Sequence, residues 1–191
     1  DLVTARQSQA TIVTQEHRLA PHPSAETRPA DPGDDDRLTP RQLFRVLRGA
    51  APADTVIVQE SPSNIADLHS EWAFTTPDSY FAMASGALGW DLSAAVGVAL
   101  AERDLGRNRP VLAVIGDGSL QFSPQALYTA AQHELPLVVV VPNNGEYGIL
   151  KAFAKFQRNP GVPGLDLPGL KPHRVAEAYG AKGVVASTAA E

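Results

Sequence analysis

A chain of 191 residues with 43% apolar and 19% charged side chains can bury one sizeable core, the composition of a soluble globular protein rather than a disordered or membrane one. A formal net charge of −5 argues against nucleic acid as the main partner, and the absence of cysteine excludes disulfides, thiolate metal sites and cysteine nucleophiles. No apolar run reaches the roughly 18 residues a membrane-crossing helix needs, and Asp1-Leu2-Val3-Thr4 does not open like a secretory leader; a cytoplasmic setting is the default expectation.

Residues 1–20 are weakly patterned. Beyond them Pro21, Pro23, Pro29 and Pro32 surround Gly33 and the acidic run Asp34-Asp35-Asp36, a composition that stays extended and solvated. A boundary is expected here, with 1–38 as the remnant of a preceding domain plus a linker and 39–191 as the folded domain. Thr39-Pro40 joins an N-cap to proline at the first helical position, and Leu43, Phe44 and Leu47 recur at helical spacing, predicting a helix to about Arg48. Thr55-Val56-Ile57-Val58-Gln59 predicts a strand, Glu60-Ser61-Pro62-Ser63-Asn64 a polar turn, 65–72 a helix and Tyr80-Phe81-Ala82-Met83 a strand. The small residues Ala84-Ser85-Gly86-Ala87-Leu88-Gly89 lead into an Ala/Val-rich helix over about 90–104.

Val111-Leu112-Ala113-Val114-Ile115 is apolar at every position, as expected of a parallel strand covered on both faces, and stops at Gly116-Asp117-Gly118-Ser119. A helix over about 123–134 leads to a second such run, Leu137-Val138-Val139-Val140-Val141, which stops at Asn143-Asn144-Gly145. This is a βαβ unit with the usual right-handed crossover. A helix near 147–156, a Pro/Gly loop through Gly169, a helix near 172–179 and a last strand at Gly183-Val184-Val185 complete the pattern. The expected class is α/β, an open, mostly parallel sheet with helices on both faces.

In parallel α/β sheets ligands bind beyond the carboxyl ends of the strands. Asp117 and Asn144 each follow such an end, separated by enough chain for one helix and one strand. If the two strands are neighbours, both side-chain oxygens project into one crevice. Oxygen ligation with a single carboxylate suits Mg²⁺, which keeps water and phosphate oxygens in its other positions. Gly116 and Gly118 permit a tight turn and close approach to a phosphate, to which the amides at Gly118 and Ser119 can donate. Singly, Gly-Asp-Gly is a common strand-to-helix turn and Asn144-Gly145 an ordinary turn dipeptide; the weight lies in the pair.

Gly116-Asp117-Gly118-Ser119 through Asn143-Asn144 resembles the signature of thiamine-diphosphate enzymes, and over residues 40–186 the chain resembles the pyrophosphate-binding domain of the decarboxylase and acetolactate synthase superfamily. The resemblance implies thiamine diphosphate and Mg²⁺ (or Ca²⁺) as cofactors. Asp117 and Asn144 would ligate the metal through their side chains and Glu146 through its backbone carbonyl, its carboxylate turned to solvent. Ser63 would donate to the diphosphate, though its hydroxyl reads equally well as an N-cap for the next helix. Gly116, Gly118, Ser119, Tyr147 and Gly148 would belong to the cofactor surface. Gly86 would offer its carbonyl to the aminopyrimidine, and Leu88 would wedge beneath the cofactor to hold it bent, where an ordinary core leucine is the competing reading.

The run Asn143-Asn144-Gly145-Glu146-Tyr147-Gly148-Ile149-Leu150-Lys151-Ala152-Phe153 is similar to the benzoylformate decarboxylases, as is Val162-Pro163-Gly164-Leu165-Asp166-Leu167-Pro168-Gly169. In that branch Ile149 and Phe153 fall where the substrate pocket is lined; helix packing accounts for them equally. Ile149 stands where a small residue is usual, which opens the pocket reading to smaller or aliphatic 2-oxo acids. The implied reaction is non-oxidative decarboxylation of a small 2-oxo acid, in which the thiazolium carbon attacks the 2-oxo carbon, CO₂ leaves and the ring stores the electrons. Acetolactate synthase-like carboligation, another thiamine enzyme such as a sulfopyruvate decarboxylase or an oxidase, and a non-catalytic thiamine-diphosphate-binding module are the alternatives. No catalytic residue is expected in this chain: the family's activating glutamate lies in an N-terminal pyrimidine-binding domain, Glu60 follows a strand of the diphosphate half, and His17, His22, His69, His133 and His173 match no catalytic position. The chain is expected to be a C-terminal piece of a larger polypeptide that works as a homodimer or homotetramer, to end before a final strand and helix, and alone to bind cofactor weakly without turnover.

Overall fold

Thr39 opens the fold with a reciprocal cap. Its Oγ1 accepts from the Gln42 N–H (3.3 Å) while Gln42 Oε1 accepts from the Thr39 N–H (2.8 Å), and Pro40 takes the first helical position, where a missing N–H costs nothing. The computed structural model describes residues 38–188, all in the unit Asp34–Glu191; the expected remnant and linker lie outside the described residues apart from Leu38. The elements are α1 (Pro40–Ala50), β1 (Val56–Glu60), a 3₁₀ turn (Pro62–Asn64), α2 (Ile65–Glu71), β2 (Tyr80–Ala82), α3 (Asp91–Asp104), β3 (Val111–Ile115), α4 (Asp117–Leu120), α5 (Ala126–Gln132), β4 (Leu137–Val140), α6 (Gly148–Phe156) and α7 (Pro172–Ala178). Among the described residues no helix is long and apolar enough to cross a membrane.

The four strands lie in the order β2-β1-β3-β4 and every pairing is parallel, with Val58 opposite both Phe81 and Ala113, and Ala113 opposite Val139. Strand side chains alternate between faces, and both faces are covered. Ile57, Leu112 and Val114 pack against Phe44 of α1 and against Leu68 and Trp72 in and after α2. Val56, Val58, Val111 and Ala113 pack against Ala95 and Ala99 of α3. Full burial of each large apolar side chain stabilises by about 1.5–3 kcal/mol, and the small alanines let α3 approach the sheet closely. Glu71 accepts from Arg41 (2.6 Å) and Arg45 (3.1 Å), tying α2 to α1 on the surface.

From β1 the chain passes through α2 to β2 on one side, then returns with β3 on the other side of β1 and continues outward to β4. The connections after β1 and β3 thus diverge, which opens a crevice beyond their carboxyl ends. This switch point places the site.

Two details differ from the pattern read in the sequence. One helical turn, α4, starts immediately at Asp117, ahead of the expected helix. The strand expected at Gly183-Val184-Val185 is not formed: these residues belong to no ladder, and Val184 and Val185 are 74% and 65% exposed. A β-branched run becomes a strand only where it meets a partner: β4 remains an edge of the sheet, paired with β3 alone, with Val138 exposed.

Candidate functional site

Three loops leaving strand ends converge on a shallow, open cleft, lined by Ser61, Pro62, Ser63 and Asn64 after β1, by Gly116, Asp117, Gly118 and Ser119 after β3, and by Pro142, Asn144, Glu146, Tyr147, Gly148 and Ile149 after β4. Leu88, from the loop before α3, completes the wall. β3 and β4 are neighbours, so the turn carrying Asp117 and the loop carrying Asn144 share this crevice.

Asp117 is 2% exposed. Its Oδ1 accepts from the Gly118 N–H (2.8 Å) and its Oδ2 from the Gly145 N–H (2.7 Å), so the carboxylate stitches the end of β3 to the end of β4. Charge-assisted bonds of this kind offset part of the desolvation, but both donors are neutral, and among the described residues Asp117 has no cationic partner. A buried carboxylate facing a cleft, beside a side-chain amide and backbone carbonyls, is a donor set that fits a hard divalent cation. Asn144 Oδ1 accepts from the Glu146 N–H (3.2 Å), which turns the loop tightly and leaves a second lone pair on the oxygen.

The glycines show how closely the loops approach. A Cβ on Gly148 would lie 3.1 Å from both Asn144 Nδ2 and Ser63 Oγ, so Gly148 is where the β1 and β4 loops close on one another. A Cβ on Gly118 would fall against the Tyr147 ring, 2.7 Å from Cδ1. Gly118→Ala is therefore expected to displace the ring and destabilise the chain by about 1–3 kcal/mol, a drop in melting temperature of about 2–4 °C per kcal/mol. Combining it with Tyr147→Ala should recover part of the loss; a strictly additive double variant would refute the clash.

The other expected site residues divide. Ser63 is exposed within the 3₁₀ turn and does not cap α2; the position before that helix is Asn64, which makes no side-chain cap and donates to Ser61 Oγ (2.8 Å). The Ser63 hydroxyl is left to the cleft, 3.1 Å from the Gly148 Cβ position. Gly118 directs its N–H to Asp117 rather than outward, and Ser119 is buried at the cleft floor. Gly86 adopts a positive φ of 73° in the loop before α3, outside the lining. Ile149 reaches the cleft rim, whereas Phe153 lies outside the lining, 59% exposed, with its ring 6.3 Å from that of Phe156. The Glu146 carboxylate, expected to face solvent, pairs with Lys151, which also binds Asp166; both partners hold the ammonium above its ordinary pKa, Asp166 contributing most. Tyr147 N–H donates to Leu165 O (2.9 Å) and Leu167 N–H to Gly145 O (2.7 Å), strapping residues 165–167 along the β4 loop. His69, His133 and His173 lie outside the lining; His17 and His22 fall outside the described residues.

Sequence reasoning missed a buried acid pair. Glu60, the last residue of β1, is 0% exposed; its Oε1 accepts from the Gly89 N–H (2.6 Å) and its Oε2 from the N–H groups of Trp90 (2.8 Å) and Asp91 (2.9 Å), capping the start of α3 from another strand. Asp91 is also 0% exposed, and neither of its oxygens has a hydrogen-bond partner. Burial, and then the neighbouring Glu60 charge, push its carboxyl up to about 8, against the weaker pull of the Glu60 backbone N–H. The available signal was an acid ending an apolar strand on the same face as Val56 and Val58: such a charge needs donors nearby.

Compared with known proteins, residues 64–191 match the thiamine pyrophosphate enzyme, C-terminal TPP binding domain. The chain is 40% identical over 154 residues to a benzoylformate decarboxylase from Pseudomonas aeruginosa, covering 81% of this chain and 28% of that protein. It is 33% identical over 150 residues to a sulfoacetaldehyde acetyltransferase from Alcaligenes xylosoxydans xylosoxydans, covering 78% of this chain and 24% of that protein. The crystal structure of benzoylformate decarboxylase from Polynucleobacter necessarius superposes with a TM-score of 0.79 at 45% identity, covering 86% of this chain and 30% of that one. The chain spans under a third of the length of these relatives.

Proposed function

We propose, from the premise that this chain belongs to the C-terminal TPP binding domains of thiamine pyrophosphate enzymes, that it supplies the diphosphate- and metal-binding half of a 2-oxo acid decarboxylase site. The observation that carries the reading is Asp117, a buried carboxylate with no cationic partner among the described residues, at the floor of a cleft built from loops that follow β1, β3 and β4. Asp117 and Asn144 hold Mg²⁺ through side-chain oxygens and Glu146 through its backbone carbonyl, while Ser63 donates to the diphosphate. Leu88 supports the cofactor from the wall opposite, and Gly86 faces the aminopyrimidine from the same loop. Thiamine diphosphate, when bound, supplies the electron sink for loss of CO₂ from a 2-oxo acid. The chain's own residues bind and orient, and Ile149 at the rim narrows the approach toward smaller or aliphatic substrates.

The titratable side chains of the cleft are Asp117, Glu146 and Tyr147, the first two already engaged, so proton transfer is assigned to an N-terminal pyrimidine-binding domain of the whole polypeptide, working as a homodimer or homotetramer. The coverage of relatives supports that division. The same reading takes a cytoplasmic setting, in which a cysteine-free chain needs no oxidising compartment. Likeness to a sulfoacetaldehyde acetyltransferase favours a second reading, a group-transferring or carboligating enzyme on the same cofactor.

Thermal unfolding of the 191-residue chain tests the binding. Thiamine diphosphate at about 100 times its Kd should stabilise by about 2.7 kcal/mol with Mg²⁺ present and little without it; no Mg²⁺-dependent rise sinks the reading. In the same samples CO₂ release from benzoylformate or pyruvate should stay at background, and substantial turnover would refute the division of labour between domains.

A further inference from the structure

Glu60 joins the two walls of the cleft. Its side chain holds the N–H groups of Gly89, Trp90 and Asp91, the residues that follow Leu88 and start α3. Its own carbonyl accepts the Gly116 N–H (3.1 Å), the residue that precedes Asp117. A fully buried residue therefore touches the Leu88 wall through its carboxylate and the Asp117 turn through its backbone. The carboxylate lies at the amino end of a 14-residue helix, where a negative charge and free N–H groups favour one another. Asp91 is buried beside it, its own oxygens without a hydrogen-bond partner and its carboxyl raised by burial and by Glu60.

We propose that Glu60 is a positioning residue for the cofactor: its carboxylate fixes Leu88 at the spacing from the Asp117 turn that the thiamine half requires, while the diphosphate half depends only on its backbone. The proposal rests on the thiamine diphosphate reading above. In Glu60→Gln an amide NH₂ replaces one acceptor and faces backbone N–H donors, so the Leu88 loop loses its anchor; the carbonyl that holds Gly116 is unchanged.

Calorimetric titration of the 191-residue chain with Mg²⁺–thiamine diphosphate and, separately, with Mg²⁺–pyrophosphate reads the two halves apart. In Glu60→Gln, affinity for thiamine diphosphate should fall roughly tenfold or more, the scale of a lost charge-assisted bond, while affinity for pyrophosphate stays within about twofold. Should that variant not fold, Glu60→Asp, which keeps the charge and shortens the reach, carries the same comparison with the same split at smaller amplitude. Equal losses for both ligands would mean general loosening and overturn the proposal, as would no loss for either. Wild-type protein that binds neither ligand overturns the cofactor reading with it, whereas wild-type binding of both beside unselective variants overturns this proposal alone.

Discussion

Asp91→Asn should grow more stable than the wild-type chain as pH rises from about 4 to about 8 and then keep a constant advantage. The wild-type carboxyl titrates near its ordinary 3.8 when unfolded and at about 8 when folded, raised first by burial and then by the Glu60 charge. Across that interval the folded chain binds more protons than the unfolded one, so stability falls with rising pH: the contribution is fully present below about pH 4 and fully lost above about pH 8. At 1.36 kcal/mol per pH unit the whole interval amounts to on the order of 5 kcal/mol, a large share of a domain's stability. Urea unfolding of both proteins at pH steps through this interval isolates the effect, because titrations not coupled to Asp91 cancel in the difference. Parallel stability profiles would contradict the assignment.

Asp117→Ala should weaken Mg²⁺-dependent binding of thiamine diphosphate by about 100-fold or more, above the 10–100-fold typical of residues that only orient ligands. The same change leaves the Gly118 and Gly145 N–H groups without an acceptor, destabilising the free chain by about 1–3 kcal/mol. Affinity measured by calorimetry below the unfolding transition separates the two effects. Asp117→Asn is the sharper variant, since it keeps the shape and one acceptor and removes the charge; binding at wild-type strength in that protein would show that the carboxylate does not hold the metal.

The parts of the fold legible in the sequence were those whose cause is local. Val111–Ile115 and the run beginning at Leu137 read as strands because a strand between two helix layers must be apolar throughout, and Thr39-Pro40 announced α1 because a cap is decided by adjacent residues. The strand ends that carry Asp117 and Asn144 were legible for the same reason, since an apolar run that stops at a polar turn marks a strand end; that the two strands are neighbours was a condition, which the β3–β4 ladder meets. What escaped depends on partners distant in the chain. Val184 and Val185 have the β-branched character of a strand yet join no ladder, although β4 ends the sheet as an edge. Helical spacing put Ile149 and Phe153 on one face without revealing that only Ile149 meets the cleft. Glu60 and Asp91 meet across the sheet and helix layers, and nothing local tells a capping glutamate from a surface one. α4 was hidden by Gly118, a poor helix former, in a turn of only four residues.

The strand order also constrains how the chain acquires its structure. β1 cannot be completed by a neighbouring hairpin: Val56 waits for Val111 across α2, β2 and α3, and Val111 in turn pairs with Leu137 across α4 and α5. Such closures lose loop entropy before any ladder bond rewards them. The β1–β2 pair (Ile57 opposite Tyr80) and the β3–β4 pair (Val111 opposite Leu137) close the shorter separations, and the β1–β3 pairing, the longest, joins them last. Since Glu60 reaches Gly116 only once β1 is in place, the cleft assembles as a late kinetic event, and slow refolding should end with the gain of ligand affinity rather than begin with it.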